Sequence, residues 1–209
     1  MLSTNIVTEL LTSRWVTILT AVLLAMFYGL FAYAHLLKFW ASKEWSLLLF
    51  SVSEMLIVIF YVFRNKPKTI SIQFSDWFIA FMGTSAPLLL RPDVWGVIPD
   101  ARFMITIGAM LQLMSMISLN RSFAIVASKR EIKTTRMYRI VRHPLYASYF
   151  LIFLGYLLSN TTLANGVIVL VTIFFLCLRM VREEQHLALD PVYLDYMLKV
   201  RYRLLPYVY

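Results

Sequence analysis

Six apolar segments run through the sequence, and they restrict its fold more than any other feature. They cover approximately residues 15–37, 45–63, 75–90, 99–120, 144–160 and 163–180. A helix that crosses a bilayer needs about 20 apolar residues, whereas the strands of a membrane β-barrel alternate apolar and polar residues. Because these segments do not alternate, the pattern predicts an all-α, polytopic transmembrane bundle. The composition agrees: 60% of the 209 residues are hydrophobic, against about 45–50% in soluble domains.

The number of spans depends on the third segment, which is short and contains Pro87. Its helix would be roughly 24 Å long, against a hydrocarbon core of about 30 Å, so five spans is the alternative to six. Six spans with the N-terminus inside place 16 of the 20 Lys and Arg residues on the cytoplasmic side; five spans place 14 there. The positive-inside rule therefore favours six. We expect an integral membrane protein with both termini in the cytoplasm, in a bacterial or archaeal inner membrane or the endoplasmic reticulum.

No composition break marks a second domain, so residues 1–209 are predicted to form a single membrane domain. Residues 1–120 supply the N-terminal spans, and residues 121–209 hold most of the polar chemistry. The last two spans are joined by the short sequence SNTTLANG (159–166), which predicts a tight antiparallel hairpin. The polar segments 121–142 and 181–209 then meet at the same membrane face. The net charge of +9 is explained by this cytoplasmic bias, and no nucleic-acid partner is implied.

The first of these polar regions includes YRIVRHPLYAS, residues 138–148, directly before a span. Pro144 suits the first position of a helix, which places His143 at its cap. The N–H groups of a first helical turn favour an anion, and Arg142 adds a positive charge beside them. Aromatic walls with hydroxyl groups come from Tyr138, Tyr146 and Tyr149. The stretch fits a site for a small ligand with a carboxylate and a flat ring, or, alternatively, an ordinary membrane interface that leaves His143 without a role.

The second polar region, residues 179–209, continues the last span as a helix. Arg179 and Glu183 are four residues apart and share a face. Glu183 and Glu184 diverge by about 100° and cannot form a carboxylate dyad, so one is expected to face a pocket while the other pairs with an arginine. The tyrosines at 193 and 196 lie on one face of a further helix. The alternative is a salt-bridged amphipathic helix on the membrane surface.

Taken together, the ordered motifs NRSF (120–123), YRIVRHPLYAS, REEQHL (182–187) and YLDYMLKVRYRLLP (193–206) resemble the isoprenylcysteine carboxyl methyltransferase family. That family is related to other small integral-membrane methyltransferases, including phospholipid methyltransferases. The resemblance covers roughly the C-terminal ninety residues. It implies S-adenosylmethionine as methyl donor, bound at the cytoplasmic face between the RHP segment, the hairpin and the Glu-Glu helix. It also implies a lipid or prenylated small-molecule acceptor that enters from the bilayer.

The resemblance assigns roles to particular residues. The residues expected to bind the donor are Tyr138, Arg142, His143, Pro144, Tyr146, Glu183, Glu184 and His186. The candidates for catalysis or for holding the reactants are Arg179, Glu183 and Arg203. Ser148 and Met137 stand where the family often has glycine. No metal is implied, because three histidines and one cysteine form no ligand spacing. The competing functions are an NADPH-dependent sterol or steroid reductase, favoured by the RHP segment and the tyrosine-rich tail, and a non-enzymatic scaffold or small transporter.

Four residues outside the motifs also carry predictions. Glu54 lies near the middle of the second span, where a carboxylate faces the bundle or a cavity. Gln112 is at a suitable depth to hydrogen-bond Glu54, so Glu54 is either a paired structural residue or part of an acceptor channel. His35 is expected at the outer interface, and Gly29 is expected to allow close helix contact.

Overall fold

The fold is a bundle of helices, and the computed structural model describes residues 13–65, 67, 69–93, 95–126, 128–129 and 131–208. The helices are α1 (Arg14–Ser42), α2 (Trp45–Val62), α3 (Phe74–Ser85), α4 (Arg102–Leu119), α5 (Pro144–Ser159), α6 (Leu163–Leu187) and α7 (Pro191–Lys199). Short 3₁₀ turns cover Ala86–Leu89, Pro99–Ala101, Asn120–Ser122 and Arg136–Arg139. The two strands, β1 (Thr69–Ile70) and β2 (Ser128–Lys129), pair antiparallel. The predicted all-α class is confirmed for the described residues. Lys66, Lys68 and Arg130, which entered the count of basic residues, lie outside them.

Within the described residues, four helical segments are long and apolar enough to cross a membrane: Arg14–Ser42, Trp45–Val62, Pro99–Ser122 and Leu163–Leu187. Helix α5 is also apolar but shorter. The prediction of an integral membrane protein is therefore supported, while the choice between five and six spans stays a prediction. The weak third segment runs alongside α6, because Asp76 lies 3.8 Å from Arg182 near one end of α6 and the Arg91 N–H donates to Asn165 at the other.

The helix boundaries follow from local capping chemistry. The Ser13 hydroxyl accepts from the Val16 N–H at the start of α1, and the Thr162 hydroxyl accepts from the Asn165 N–H at the start of α6. At α7, Asp190 accepts from the Val192 N–H, with proline at the first helical position. Each cap satisfies an N–H group that the helix itself cannot pair. Helix α6 continues to Leu187, past the apolar run, as the sequence predicts.

Helices α4 and α5 pack closely because two glycines lie at their contact. A Cβ on Gly108 would come within 2.5 Å of an Ile152 side-chain atom, and one on Gly155 within 2.9 Å of the Ala101 carbonyl oxygen. Small residues let membrane helices approach in this way. The prediction for Gly29 was wrong: among the described residues, no atom of another helix lies within 4 Å of the position its Cβ would occupy. The apolar sequence of α1 does not show which of its faces meets a neighbouring helix, so it did not reveal whether Gly29 makes such a contact.

His35 corrects a second expectation, because it is fully buried rather than interfacial. One ring nitrogen contacts the Tyr156 hydroxyl at 2.9 Å and the other contacts the Phe31 carbonyl oxygen at 3.0 Å. Its ring also packs on Phe50. The histidine thus joins α1 to α5 inside the core, and its position in the sequence did not reveal the partner 121 residues away.

Polar loops gather at one end of the bundle, which we call the polar end and define by residues 120–143 and 182–206. The pairing of β1 with β2 belongs to this end, as does the hydrogen bond from the Asn65 N–H to the Arg121 carbonyl. The opposite end is joined by the Arg102–Glu44 ion pair at 3.0 Å and by the Asp93 N–H, which donates to Asn160. The two segments predicted to share one membrane face do meet, because the Arg142 N–H donates to the Tyr202 carbonyl.

Candidate functional site

The RHP segment forms the turn that begins α5. His143 occupies the cap position and Pro144 the first helical position, as predicted. The backbone N–H groups of Arg142 and His143 donate to the carbonyls of Tyr202 and Arg203, at 2.9 and 2.8 Å. These two bonds fix the C-terminal tail against the turn. Residues that are 60 positions apart thus form one wall of the polar end.

Glu184 connects three segments of the chain through a single buried carboxylate. One of its oxygens lies 3.0 Å from His143 Nε2 and 2.9 Å from Arg142 Nε. Its other oxygen accepts from Arg203 Nε at 3.0 Å. The Arg142 and Glu184 side chains are both more than nine-tenths buried. Because charged donors contact both oxygens, Glu184 ties α6 to the RHP turn and to the tail.

Glu183, the neighbouring carboxylate, has different surroundings. It accepts a hydrogen bond of 2.7 Å from the Tyr146 hydroxyl and lines an open cleft. The divergence predicted for two adjacent helical residues is therefore present: Glu184 pairs with arginines and Glu183 faces a pocket.

Arg179 lies one helical turn before Glu183 and lines the same cleft. Its guanidinium donates to the Ala124 carbonyl at 2.8 Å and to the Thr84 hydroxyl at 3.4 Å. It also stands over the Tyr146 ring, 5.8 Å from the ring centre. These contacts hold a positive charge in the wall of the cleft.

The cleft opens to solvent at the polar end. Acidic groups (Glu131 and Glu183) and basic groups (Lys133, Arg142 and Arg179) share its wall. Its aromatic lining consists of Tyr138, Tyr146, Tyr149, Tyr193 and Tyr196. A ligand in the cleft would therefore meet both signs of charge and several flat rings.

Helix α7 closes the cleft from the tail side. The Tyr196 hydroxyl donates to the Tyr138 carbonyl oxygen at 2.6 Å, and Tyr193 is buried beside it. Burial raises the pKa of the Tyr196 phenol above its ordinary value, so the group stays protonated and keeps this hydrogen bond. These two tyrosines were not among the predicted site residues. The sequence did contain a signal for them, because they are three residues apart on a helix that follows the REEQHL motif.

Four of the residues predicted for the site lie outside the cleft lining. Pro144 shapes the helix start, and Glu184 and Arg203 pair with each other behind the wall. His186 points elsewhere, because its Nε2 contacts the Thr69 hydroxyl at 3.2 Å and connects α6 to β1. The predicted residues that line the cleft are Tyr138, Arg142, His143, Tyr146, Arg179 and Glu183.

A second, smaller cavity adjoins the cleft, and Tyr149 and Arg179 line both. Glu54 lines this cavity and is 1% exposed. The expected pairing with Gln112 was wrong: the Gln112 amide donates to the Ser53 carbonyl at 3.1 Å. Among the described residues, Glu54 Oε1 has no hydrogen-bond partner. The Gln112 amide thus bonds the backbone of Ser53, the residue before Glu54, instead of the Glu54 carboxyl.

Residues 101–190 match the family model described as phospholipid methyltransferase. This confirms the resemblance to the small membrane methyltransferases that the motifs predicted. The match spans α4, the RHP turn, α5 and α6, and it ends before the tail motif at 193–206. No curated protein matches the sequence. Over residues 101–190, and in the long apolar helices of its described part, the chain is similar to membrane methyltransferases.

Proposed function

We propose that this protein transfers a methyl group from S-adenosylmethionine to a lipid-like acceptor, with the cleft at the polar end as the donor site. The supporting observation is that Glu183, Arg179 and a set of buried tyrosines converge on one cleft, whose lining comes mostly from the family-matched region. The acceptor is an isoprenylcysteine-type carboxylate or another lipophilic O, N or S nucleophile. The orientation that goes with this proposal places the polar end in the cytoplasm, where the donor is available.

The chemistry of the lining fits the donor. S-adenosylmethionine carries an ammonium, a carboxylate, two ribose hydroxyls and an adenine ring. Glu183 is suited to accept from the ammonium or the ribose hydroxyls, and Lys133 and Arg142 provide positive charge for the carboxylate. The rings of Tyr193 and Tyr196 provide an aromatic surface for adenine.

The proposed reaction requires few proton transfers to or from the protein. When bound, S-adenosylmethionine would supply a methyl carbon that the adjacent sulfonium has already activated. In the transfer, the carbon–sulfur bond breaks with its electron pair going to sulfur, and a bond to the acceptor forms in line. The residues of the cleft contribute by binding, orienting and excluding water from the reactants. A carboxylate acceptor needs no base, whereas an amine must lose a proton, for which His143 and Glu183 are candidates among the lining residues.

Calorimetric titration of the purified, detergent-solubilised protein with S-adenosylmethionine and, separately, with NADPH tests the proposal. We expect binding of S-adenosylmethionine. Glu183→Gln should weaken that binding about 10- to 100-fold, because a hydrogen bond to a charged group contributes about 1.5–3 kcal/mol. His143→Ala should weaken it as well. Glu44→Gln is the matched control, since Glu44 pairs with Arg102 at the opposite end of the bundle.

The outcomes separate the competing functions. Binding of NADPH alone would overturn the proposal in favour of a reductase, and binding of neither ligand would favour a scaffold. Unchanged donor affinity in both the Glu183 and the His143 variants would show that the cleft is not the donor site.

A further inference from the structure

The NRSF motif (120–123) forms a tight turn at the polar end, directly after α4. Asn120 has a φ of 51°, a value that few residues other than glycine adopt. Two hydrogen bonds join Arg121 to the end of α2: its carbonyl accepts from the Asn65 N–H at 2.7 Å, and its Nε donates to the Phe63 carbonyl at 3.1 Å. An unusual backbone conformation persists only where the surrounding contacts fix it, and such conformations cluster at functional sites. The turn therefore holds its side chains in set directions.

Ser122 is the residue of this turn that lines the cleft. It is 8% exposed, and among the described residues its hydroxyl has no hydrogen-bond partner. The serines of α4 differ in this respect, because the Ser115 and Ser118 hydroxyls donate to carbonyls of their own helix. A buried hydroxyl without a partner is costly, so one in the wall of a cleft is suited to bond a ligand there. Rotation about a single bond is enough to turn a serine hydroxyl toward that ligand.

Three cations line the cleft, and two of them already have a carboxylate partner. Lys133 lies 2.7 Å from Glu131, and Arg142 lies 2.9 Å from Glu184. Within the part of the chain that the structure describes, Arg179 forms no ion pair with a carboxylate, and its hydrogen bonds are to a carbonyl and a hydroxyl. These bonds use two of the five N–H groups of a guanidinium. Arg179 is therefore the cation of this lining whose charge is available to an anionic ligand.

Arg179 and Ser122 belong to the same part of the cleft wall. The Arg179 guanidinium donates at 2.8 Å to the carbonyl of Ala124, which is two residues after Ser122. A carboxylate can accept hydrogen bonds from a hydroxyl and a guanidinium together. Glu183 lies one helical turn after Arg179 in the same lining and is suited to an ammonium group. Because an α-amino acid carries a carboxylate and an ammonium on one carbon, this part of the wall matches such a group.

We propose that Ser122 and Arg179 form the subsite for the carboxylate at the amino-acid end of the donor, with the Ser122 hydroxyl as a hydrogen-bond donor. This rests on the proposed function, which places S-adenosylmethionine in the cleft. Lys133 and Arg142 then add to the positive potential around the carboxylate, while Ser122 and Arg179 contact it. The role of the NRSF turn is to hold the Ser122 side chain at this subsite.

The experiment compares two ligands that differ only in the carboxylate, S-adenosylmethionine and decarboxylated S-adenosylmethionine. Calorimetry measures their affinities for the purified full-length protein in detergent. Ser122→Ala should weaken binding of S-adenosylmethionine about tenfold and binding of the decarboxylated ligand by less than about twofold, because a hydrogen bond to a charged group is lost with the first ligand alone. Ser118→Ala is the matched control: the Ser118 hydroxyl donates to the Met114 carbonyl, and Ser118 does not line the cleft. It should bind both ligands as the wild type does.

Thermal unfolding without ligand separates a binding role from a structural one. Ser122→Ala removes a hydroxyl that has no partner among the described residues, so the apparent melting temperature should be unchanged or higher. A lower melting temperature together with equal weakening of both ligands would show a structural role and overturn the inference.

The remaining outcomes distinguish failure of the subsite from failure of the proposed function. If the wild type binds S-adenosylmethionine and Ser122→Ala changes neither affinity, or changes both equally, the carboxylate subsite is wrong and the donor site stands. If the wild type binds neither ligand, the proposed function is wrong and the subsite falls with it.

Discussion

Replacing Glu184 with glutamine should release the C-terminal tail from the bundle, although the side chain keeps its size. Glu184 contacts Arg142, His143 and Arg203 through two oxygens, and glutamine retains only one acceptor oxygen without charge. The variant leaves the Arg142 guanidinium buried and without its counter-charge. Its side chain is 8% exposed in the wild type.

The cost can be estimated from the contacts. Removing one partner of a buried ion pair costs about 3–5 kcal/mol. The Arg203 side chain is 32% exposed, so solvent screens its share of the interaction. Glutamine also keeps one hydrogen bond. We therefore expect a loss of about 2–3 kcal/mol, which corresponds to an apparent melting temperature lower by roughly 4–12 °C for a chain of this length.

The assay combines thermal unfolding, followed by tryptophan fluorescence in detergent, with limited trypsin digestion. Release of the tail frees the backbone around Arg201 and Arg203 to enter the protease site, so cleavage there should accelerate in Glu184→Gln. Glu183→Gln is the control on the adjacent position, because Glu183 faces the cleft and contacts Tyr146. It should weaken donor binding without accelerating tail cleavage. A Glu184→Gln protein that melts within 1 °C of the wild type, with tail cleavage unchanged, would refute the role we assign to this carboxylate; the 1 °C limit is well below the shift of about 4 °C expected at minimum.

The remaining predictions concern packing and hydrogen bonds. Gly155→Ala should lower the apparent melting temperature by several degrees, because its Cβ would meet the Ala101 carbonyl oxygen, whereas Gly29→Ala, facing open space, should not lower it. Tyr196→Phe should weaken S-adenosylmethionine binding several-fold by releasing the loop at the Tyr138 carbonyl; calorimetry tests this, and an unchanged affinity would count against it. Asn165→Ala should destabilise by about 2–3 kcal/mol, because its amide bonds the backbone of Arg91 at two points; a melting curve equal to that of the wild type would contradict it.

Much of the fold could be predicted from the sequence because hydrophobic runs and caps are local signals. The apolar segments became helices with bounds close to those expected, and Pro144 marked the start of α5. The short hairpin loop was enough to bring the two polar regions to one end. The number of spans is harder to predict, since α3 is short and its position depends on contacts with the neighbouring helix α6.

The partners of buried polar residues could not be predicted in the same way. His35 bonds Tyr156 and Gln112 bonds the Ser53 carbonyl, and each contact depends on the rotation and depth of two packed helices. A change of one residue in register replaces one partner by another. Periodicity gives the face of a helix, but it does not give the residue that lies across from it.

The adjacent glutamates of the REEQHL motif show what this distinction means for function. Both residues belong to one motif, and the resemblance assigned both to the donor pocket. Yet consecutive helical positions point about 100° apart, so a single cleft can receive only one of them. The charges nearby decide which: Arg142 and Arg203 surround Glu184, while Tyr146 and the open cleft receive Glu183. The two acidic residues of the motif therefore have different roles: Glu184 stabilises the wall of the cleft, and Glu183 is available to a ligand. Substitutions at the two positions should consequently separate loss of stability from loss of binding.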